Sequence, residues 1–308
     1  MQDTIWDVAI IGSGPAGLTA GIYTTRGALS TVIIGGDAWG GQLMLTSEVD
    51  NFPGFPEGIL GPSLMEKMKA QAIRFGAEFI SQNVISVDFN TRPFKLMIND
   101  RQLVAKSVII ATGAETKWLG IKGEKELIGR GISSCAPCDA PFFKEKNVLV
   151  VGGGDSAMEE ALVLTKYATR VTIIHRKSEF KASKAMQEKV LANKKIEIIW
   201  DSEVVEVAGV QKLELVKIRN NKTNTETEIK ADGLFVAIGH NPTSMLFTDL
   251  IDLDEKGYVI PKSGPKTNIE GVFVSGDIHD HTYKQAITAA GFGCIAGMEA
   301  INYIADLK

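Results

Sequence analysis

Asp7-Val8-Ala9-Ile10-Ile11-Gly12-Ser13-Gly14-Pro15-Ala16-Gly17 and Asn147-Val148-Leu149-Val150-Val151-Gly152-Gly153-Gly154-Asp155-Ser156-Ala157 are one pattern written twice, 140 residues apart. Each is a short apolar run opening into a glycine turn. A stretch of helical spacing follows each, then a second apolar run, Ser30–Ile34 and Arg170–Ile174, so both copies read as βαβ units with parallel strands. A repeat of this kind outranks any single motif. The copies also close alike, on Val108-Ile109-Ile110-Ala111-Thr112-Gly113 and Leu234-Phe235-Val236-Ala237-Ile238-Gly239. The pattern therefore predicts an α/β chain with two Rossmann-like dinucleotide-binding domains of three layers each. A third strand-and-glycine segment, Gly271–Asp277, precedes a helical stretch from Lys284 to Asp306, which places the second domain as an insertion into the first. The expected boundaries are 1–115 with 244–308 for one domain and 116–243 for the other. The connections near Ala114–Trp118 and His240–Ser244 are candidate hinges. Lys195–Trp200 and Leu213–Ile218 read as antiparallel ribbon strands, and the polar run Asn220–Glu228 as a hairpin loop.

Composition narrows the class. At 308 residues the chain can bury two sizeable cores, and 44% apolar against 23% charged residues is the balance of a globular protein rather than a disordered one. The net charge of −4 supplies no basic field for a polyphosphate backbone, so nucleic acid is not an expected partner. Met1–Asp7 has no basic segment leading into an apolar one, and no apolar run reads as long enough to span a bilayer; the expectation is a cytoplasmic enzyme without a membrane partner. Three cysteines, two of them in a C-x-x-C pair, are too few for a secreted disulfide framework.

The glycine turns supply the first chemistry. Gly12-x-Gly14-x-x-Gly17 lies after a strand and before a helix, where backbone amides and the helix dipole can meet a pyrophosphate. The acid that normally binds a ribose about 20 residues further on is missing near Gly35; Asp37 is the nearest. The second copy, Gly152-x-Gly154-x-x-Ala157, is followed by His175-Arg176-Lys177 and Lys181. Cations where an acid would hold a ribose hydroxyl favour a 2′-phosphate, hence NADPH. The lysines at 184, 189, 194 and 195 read as a solvated face. In Cys135-Ala136-Pro137-Cys138-Asp139 a four-ligand zinc site would need partners that Cys294 alone does not supply, so no metal is assigned. Two thiols at this spacing can close a small disulfide ring, and the adjacent Asp139 is a proton donor for a leaving thiolate. Cys294, among small and apolar residues, reads as a packing thiol, and His240, His279 and His281 as structural.

Taken in order, Gly12–Gly17, Gly40-Gly41-Gln42-Leu43, Asn51-Phe52-Pro53-Gly54, Ala111-Thr112-Gly113, Cys135–Asp139, Gly152–Ala157, His175-Arg176-Lys177, and Gly276-Asp277 followed by Lys284-Gln285-Ala286 resemble the low-molecular-weight thioredoxin reductases of bacteria and archaea, within the class II pyridine nucleotide-disulfide oxidoreductases, along essentially the whole chain. The resemblance implies that FAD is held by Gly12, Ser13, Gly14, Pro15, Ala16, Gly17, Gly35, Gly36, Gly40, Gly41, Gln42, Leu43, Asn51, Ala111, Thr112, Gly113, Gly276, Asp277, Lys284, Gln285 and Ala286. It implies that NADPH is held by Gly152, Gly154, Asp155, Ser156, Ala157, Glu159, His175, Arg176, Lys177 and Lys181. Cys138 would take electrons from the flavin, Cys135 would attack the disulfide of thioredoxin or a thioredoxin-like protein, and Asp139 would serve as acid and base. Phe142 and Phe143 are candidates for docking that partner or for the core. A homodimer is expected on the same ground. Two departures stand out: Pro137 replaces the family's more usual threonine or valine, and Lys177 and Lys181 replace arginines, keeping charge but losing the bidentate fork. The alternatives are a related reductase serving a peroxiredoxin system or fed by ferredoxin, and a non-catalytic dinucleotide redox sensor. The basic motif argues against ferredoxin, and the acid beside C-x-x-C argues against a mere sensor.

Overall fold

Strands built of continuous apolar residues need cover on both faces, and helices supply it. In the computed structural model, which describes residues 4–46 and 48–307, Ile5–Ile11 pairs in parallel with Thr31–Ile34 on one side and Arg101–Ile110 on the other. Glu78–Ile80 extends the sheet beyond Thr31–Ile34, and Val272–Val274 lies beyond Arg101–Ile110, both again parallel. The long strand Arg101–Ile110 divides its second edge: residues 101–105 pair antiparallel with Phe94–Ile98, which pairs in turn with Val84–Asp88, and residues 108–110 pair with Val272–Val274. Side chains alternate between two cores. Val8, Ile10, Ile33 and Ile109 meet Leu18, Ala20 and Ala296 of the helices Pro15–Arg26 and Ala286–Asp306, whereas Ala9, Ile11, Val32 and Ile110 meet Phe94 and Phe247. Each large side chain buried this way contributes about 1.5–3 kcal/mol over exposure.

Ala286–Asp306, at 21 residues, is long and apolar enough by length and composition to cross a membrane, which corrects the expectation that no run approaches that length. Its alanines and glycines let it lie close along Pro15–Arg26: Gly293 meets Ala16, and Gly297 meets Ala20 and Tyr23.

The second unit repeats the plan. Ile132–Ser133, Gly233–Val236, Asn147–Val151, Arg170–Ile174 and Ile196–Ile199 form a five-stranded parallel sheet in that order. Its helix Asp155–Leu164 covers one face with Ala157, Ala161 and Leu164. The slot filled by Val272–Val274 in the first sheet is filled here by Ile132–Ser133, immediately before the cysteine pair. Ile196–Ile199 therefore belongs to the parallel sheet, not to an antiparallel ribbon as its sequence suggested: its amides are taken by Arg170–Ile174, the only neighbour at that edge among the described residues. The ribbon is made instead by Ser202–Ala208, Leu215–Asn220 and Glu226–Lys230. Strand pairing reaches Asn220 and Glu226, leaving 221–225 as the turn.

The chain divides into Met1–Glu115 with Asn241–Lys308, and Thr116–His240. The return crossing thus falls three residues before the expected 243/244. The reason is Thr243, whose amide donates to the Gly113 carbonyl (3.0 Å) and whose own carbonyl accepts the Thr112 hydroxyl (2.7 Å), binding it to the first unit.

Candidate functional site

In the first unit the glycine turn is fixed by close approach. Gly12 has φ +116°, and a Cβ there would lie 2.1 Å from the Ala111 carbonyl oxygen, so no side chain fits. The helix that follows begins with Pro15 after an extended Gly14 that offers no side-chain cap, leaving its first amides open to an anion. Ser13 clasps the neighbouring segments: its hydroxyl donates to the Gly35 carbonyl (2.9 Å) and accepts the Gly40 amide (3.0 Å). Gly12–Gly17, Gly35, Gly36, Gly40 and Gly41 are thereby gathered at the C-terminal ends of the parallel strands, with Gln42 and Leu43 in the 3₁₀ turn Gly41–Leu45. Asp37, the stand-in for the missing acid, is exposed and bonded to the Asn83 side chain.

Beyond the slot strand Val272–Val274 comes the turn Gly276–Ile278. Ser275 Oγ, Asp277 Oδ1 and His279 Nδ1 are buried there and have no hydrogen-bond partner among the described residues. Burial, reinforced by Asp280, pushes the Asp277 carboxyl up to about 7, with Lys284 opposing. Burial pushes the His279 imidazole down, so it is neutral at pH 7. Asp280 accepts the amides of Thr282, Tyr283 and Lys284 (2.9, 3.0 and 3.2 Å), which holds Lys284 in a left-handed conformation at φ +48°. Gln285 then caps the last helix through a capping box with Thr288, and its Oε1 accepts the Asn51 amide at 3.2 Å. Gly276, among these residues, abuts Ala16 of the glycine loop, and the buried unpartnered hydroxyl, acid and imidazole are the donors and acceptors that a sugar-phosphate cofactor such as FAD would satisfy.

The second unit gathers its residues in the same way. Asp155–Leu164 starts after an extended, uncapped Gly154. The amides of Lys181 and Ala182 donate to the Gly153 carbonyl (2.8 and 3.0 Å), and Asp155 accepts both the amide and the hydroxyl of Ser183 (2.9 and 2.7 Å). These bonds draw the basic segment over the glycine loop. Arg176, Lys177 and Lys181 are exposed and in no ion pair among the described residues; Ser156 and Glu159 are also exposed. His175 differs from its neighbours in the motif. It is 8% exposed, its Nε2 lies 2.9 Å from the Glu179 carbonyl, and it packs on Phe180 and Trp200. A Cβ on Gly153 would lie 2.1 Å from its Cε1, so His175 is the wall behind the loop.

Cys135 and Cys138 are joined as a disulfide. The ring sits at the start of the short helix Ala136–Asp139, where the Cys135 carbonyl accepts the amides of Cys138 (3.2 Å) and Asp139 (3.1 Å) and Ser133 Oγ accepts the Cys135 amide (3.0 Å). Burial raises the Asp139 carboxyl above the ordinary range, offset in part by a bond from Ser133. A second acid was not anticipated: Glu160 accepts the Ala136 amide at 2.5 Å and is pushed up to about 7, chiefly by burial. Its signal in the sequence was a charge at the position beside Ala161 on a stripe otherwise made of Ala157, Ala161 and Leu164. Of the two phenylalanines that follow, Phe143 is in the core, edge-on to Phe235 at 5.1 Å, and only Phe142 remains exposed at 39%.

Two dinucleotide folds in one chain, one of them presenting a disulfide beside a half-buried acid, define a nucleotide-dependent disulfide oxidoreductase. Residues 6–293 match the pyridine nucleotide-disulphide oxidoreductase family. The thioredoxin reductase of Streptomyces coelicolor is 50% identical over 306 residues, covering 98% of this chain and 95% of that protein. Solved thioredoxin reductases from Streptococcus pyogenes and Giardia duodenalis superpose with TM-scores of 0.94 each, at 40% and 42% identity, over 99% and 98% of this chain and 100% of theirs. The chain belongs to the pyridine nucleotide-disulphide oxidoreductase family, among its thioredoxin reductases.

Proposed function

We propose that this chain passes electrons from NADPH through FAD to Cys135–Cys138 and on to the disulfide of thioredoxin or a thioredoxin-like protein. The observation that carries the reading is the closed Cys135–Cys138 ring seated at a parallel-sheet edge with the half-buried Asp139 next in the chain. FAD supplies the two-electron relay between a nicotinamide and the disulfide. Gly12–Gly17 would hold its pyrophosphate at the open helix end, with Ser13 bracing the loop through Gly35 and Gly40, while Asp277 and His279 would hold its sugar chain and Gln285 and Ala286 its ring. Gly152–Ala157 hold the second nucleotide, and the exposed, unpaired Arg176, Lys177 and Lys181 support a 2′-phosphate and hence NADPH.

The thiols divide the work. Two electrons break the Sγ–Sγ bond, and Cys138 would be the sulfur that takes them up. Asp139 gives its proton to one of the two thiolates. Cys135 then attacks the substrate disulfide, releasing one substrate thiolate, and Cys138 closes the ring again by displacing the second. Burial raises the proton affinity of Asp139 above that of an ordinary carboxyl, with a Ser133 hydrogen bond opposing, which favours its role as the proton donor. Ile287, Ile295 and Met298 on the last helix and Tyr23 on the first leave an exposed apolar stripe that supports a homodimer.

The test is an anaerobic titration. Purified yellow protein is mixed with NADPH or NADH, flavin bleaching is followed, and oxidised thioredoxin is then added. NADPH bleaches at lower concentration than NADH, and thioredoxin restores the colour; Cys138→Ser bleaches but no longer passes electrons on. Bleaching without reoxidation by thioredoxin would transfer the chain to another acceptor.

A further inference from the structure

We infer that Glu160 is a positioning residue for the Cys135–Cys138 ring, holding the Ala136 amide with its carboxylate and taking up a proton when the ring is opened by reduction. Glu160 lies on the helix Asp155–Leu164, between buried neighbours Ala157, Ala161 and Leu164. A carboxylate on such a stripe needs a partner. No lysine, arginine or histidine pairs with it among the described residues. Its partner is the backbone N–H of Ala136, which is fully buried and lies between the two redox cysteines in the chain.

The charges around it all push one way. Asp139 of the helix Ala136–Asp139 and Glu159 of its own helix both raise its proton affinity, after burial. Lys184, Glu188 and Lys189 on the packed helix Lys184–Leu191 are exposed. On the packed strands, Asn147–Val151 carries no charge and Arg170 pairs with Glu197. Lys144 and Glu145, beyond the turn Ala140–Phe143, are exposed, and Lys146 bonds the Phe142 carbonyl. Among the described residues no cation therefore offsets the acids.

Reduction adds to this crowding. Two electrons, supplied by the activity proposed above, on which the inference rests, break the Sγ–Sγ bond and leave an electron pair on each sulfur. One thiolate takes the proton of Asp139 and becomes a thiol. The remaining thiolate, ionised Asp139 and ionised Glu160 would then place three negative charges around one buried amide. One proton from solvent onto Glu160 removes a charge, and the Ala136 hydrogen bond weakens with it, freeing the loop that carries the thiols.

The test needs neither nicotinamide nor thioredoxin, so it is independent of the electron path. In ¹⁵N-alanine-labelled holoprotein, the Ala136 amide resonance should titrate with a midpoint near pH 7 when oxidised and at higher pH after reduction with dithiothreitol. Glu160→Gln, which retains an oxygen acceptor, should abolish the titration while keeping the fold. The dithiol–disulfide equilibrium of Glu160→Gln against dithiothreitol, read by thiol alkylation, should lose up to tenfold per pH unit of its dependence just above pH 7, about 30 mV for a two-electron couple. A resonance that is flat in the wild type, or one that titrates unchanged in Glu160→Gln, would overturn the inference. If Glu160→Gln does not accumulate, the wild type decides: a midpoint that does not move on reduction overturns it equally.

Discussion

Gly153→Ala tests whether the wall behind the second glycine loop sets nucleotide affinity. The added Cβ would lie 2.1, 2.3 and 2.7 Å from three atoms of the His175 ring, where ordinary contact begins at 3.4 Å. The ring cannot retreat freely, because the Glu179 carbonyl holds Nε2 and Phe180 and Trp200 pack its faces. The loop must therefore lift by about 1.3 Å, the gap between 2.1 and 3.4 Å. Overpacking of this kind costs about 1–3 kcal/mol of stability, and a displacement of about 1 Å in a binding element costs up to roughly 100-fold in rate. The expected outcome is a fall of about 10- to 100-fold in kcat/KM for NADPH, with FAD content and thioredoxin KM unchanged. Stopped-flow flavin reduction gives the first quantity and absorbance the second. Removing the ring supplies the control: Gly153→Ala with His175→Ala should recover most of the nucleotide affinity lost by Gly153→Ala alone, with a coupling of about 1 kcal/mol or more. Strict additivity of the two changes would refute the account, since it would mean that ring and loop do not press on one another.

Further outcomes follow from other sites. Asp277 titrates near 7 when folded against an ordinary 3.8, so its contribution to stability is complete below about pH 4 and is lost as pH rises through about 7. Flavin-stripped Asp277→Asn should show a flatter stability profile across that window in urea unfolding; equal slopes in the two proteins would count against it. Lys177→Ala with Lys181→Ala should raise the KM for NADPH by about 10- to 100-fold, the loss of one charge-assisted bond or more, leave NADH unaffected, and reduce the salt dependence of NADPH binding. Phe143→Ala should cost about 3–5 kcal/mol in denaturant unfolding, whereas Phe142→Ala should leave stability unchanged and raise only the KM for thioredoxin; a destabilised Phe142→Ala would place that ring in the core as well.

Most of the fold was legible because glycine turns and two-sided burial leave strong marks. Val8–Ile11 and Val148–Val151 have no polar member, and that pattern admits little besides a central parallel strand. What failed concerned partners rather than elements. Ile196-Glu197-Ile198-Ile199 reads as a strand, but nothing in its own residues says which neighbour takes its amides. His175 was grouped with Arg176 and Lys177 by type, yet strand alternation carries successive side chains to opposite sides, and His175 points inward. Glu160 could not be tied to the cysteines, because its separation of 24 positions from Ala136 is bridged by packing alone. The last helix escaped notice as a long apolar run because its isoleucines are spaced among small residues and the polar Thr288, Glu299 and Asn302.

The strand slot shared by the two parallel sheets has a consequence for the order in which the chain is made. Val272–Val274 and the helix Ala286–Asp306 are synthesised after the whole inserted unit, so the first sheet stands with an open edge until that unit has been made. In the inserted unit the equivalent slot, Ile132–Ser133, comes first, and its sheet has every strand once Val236 has emerged. Units of this size fold as they appear, so the inserted one can close around its cysteines while the ribosome has yet to deliver Asp277.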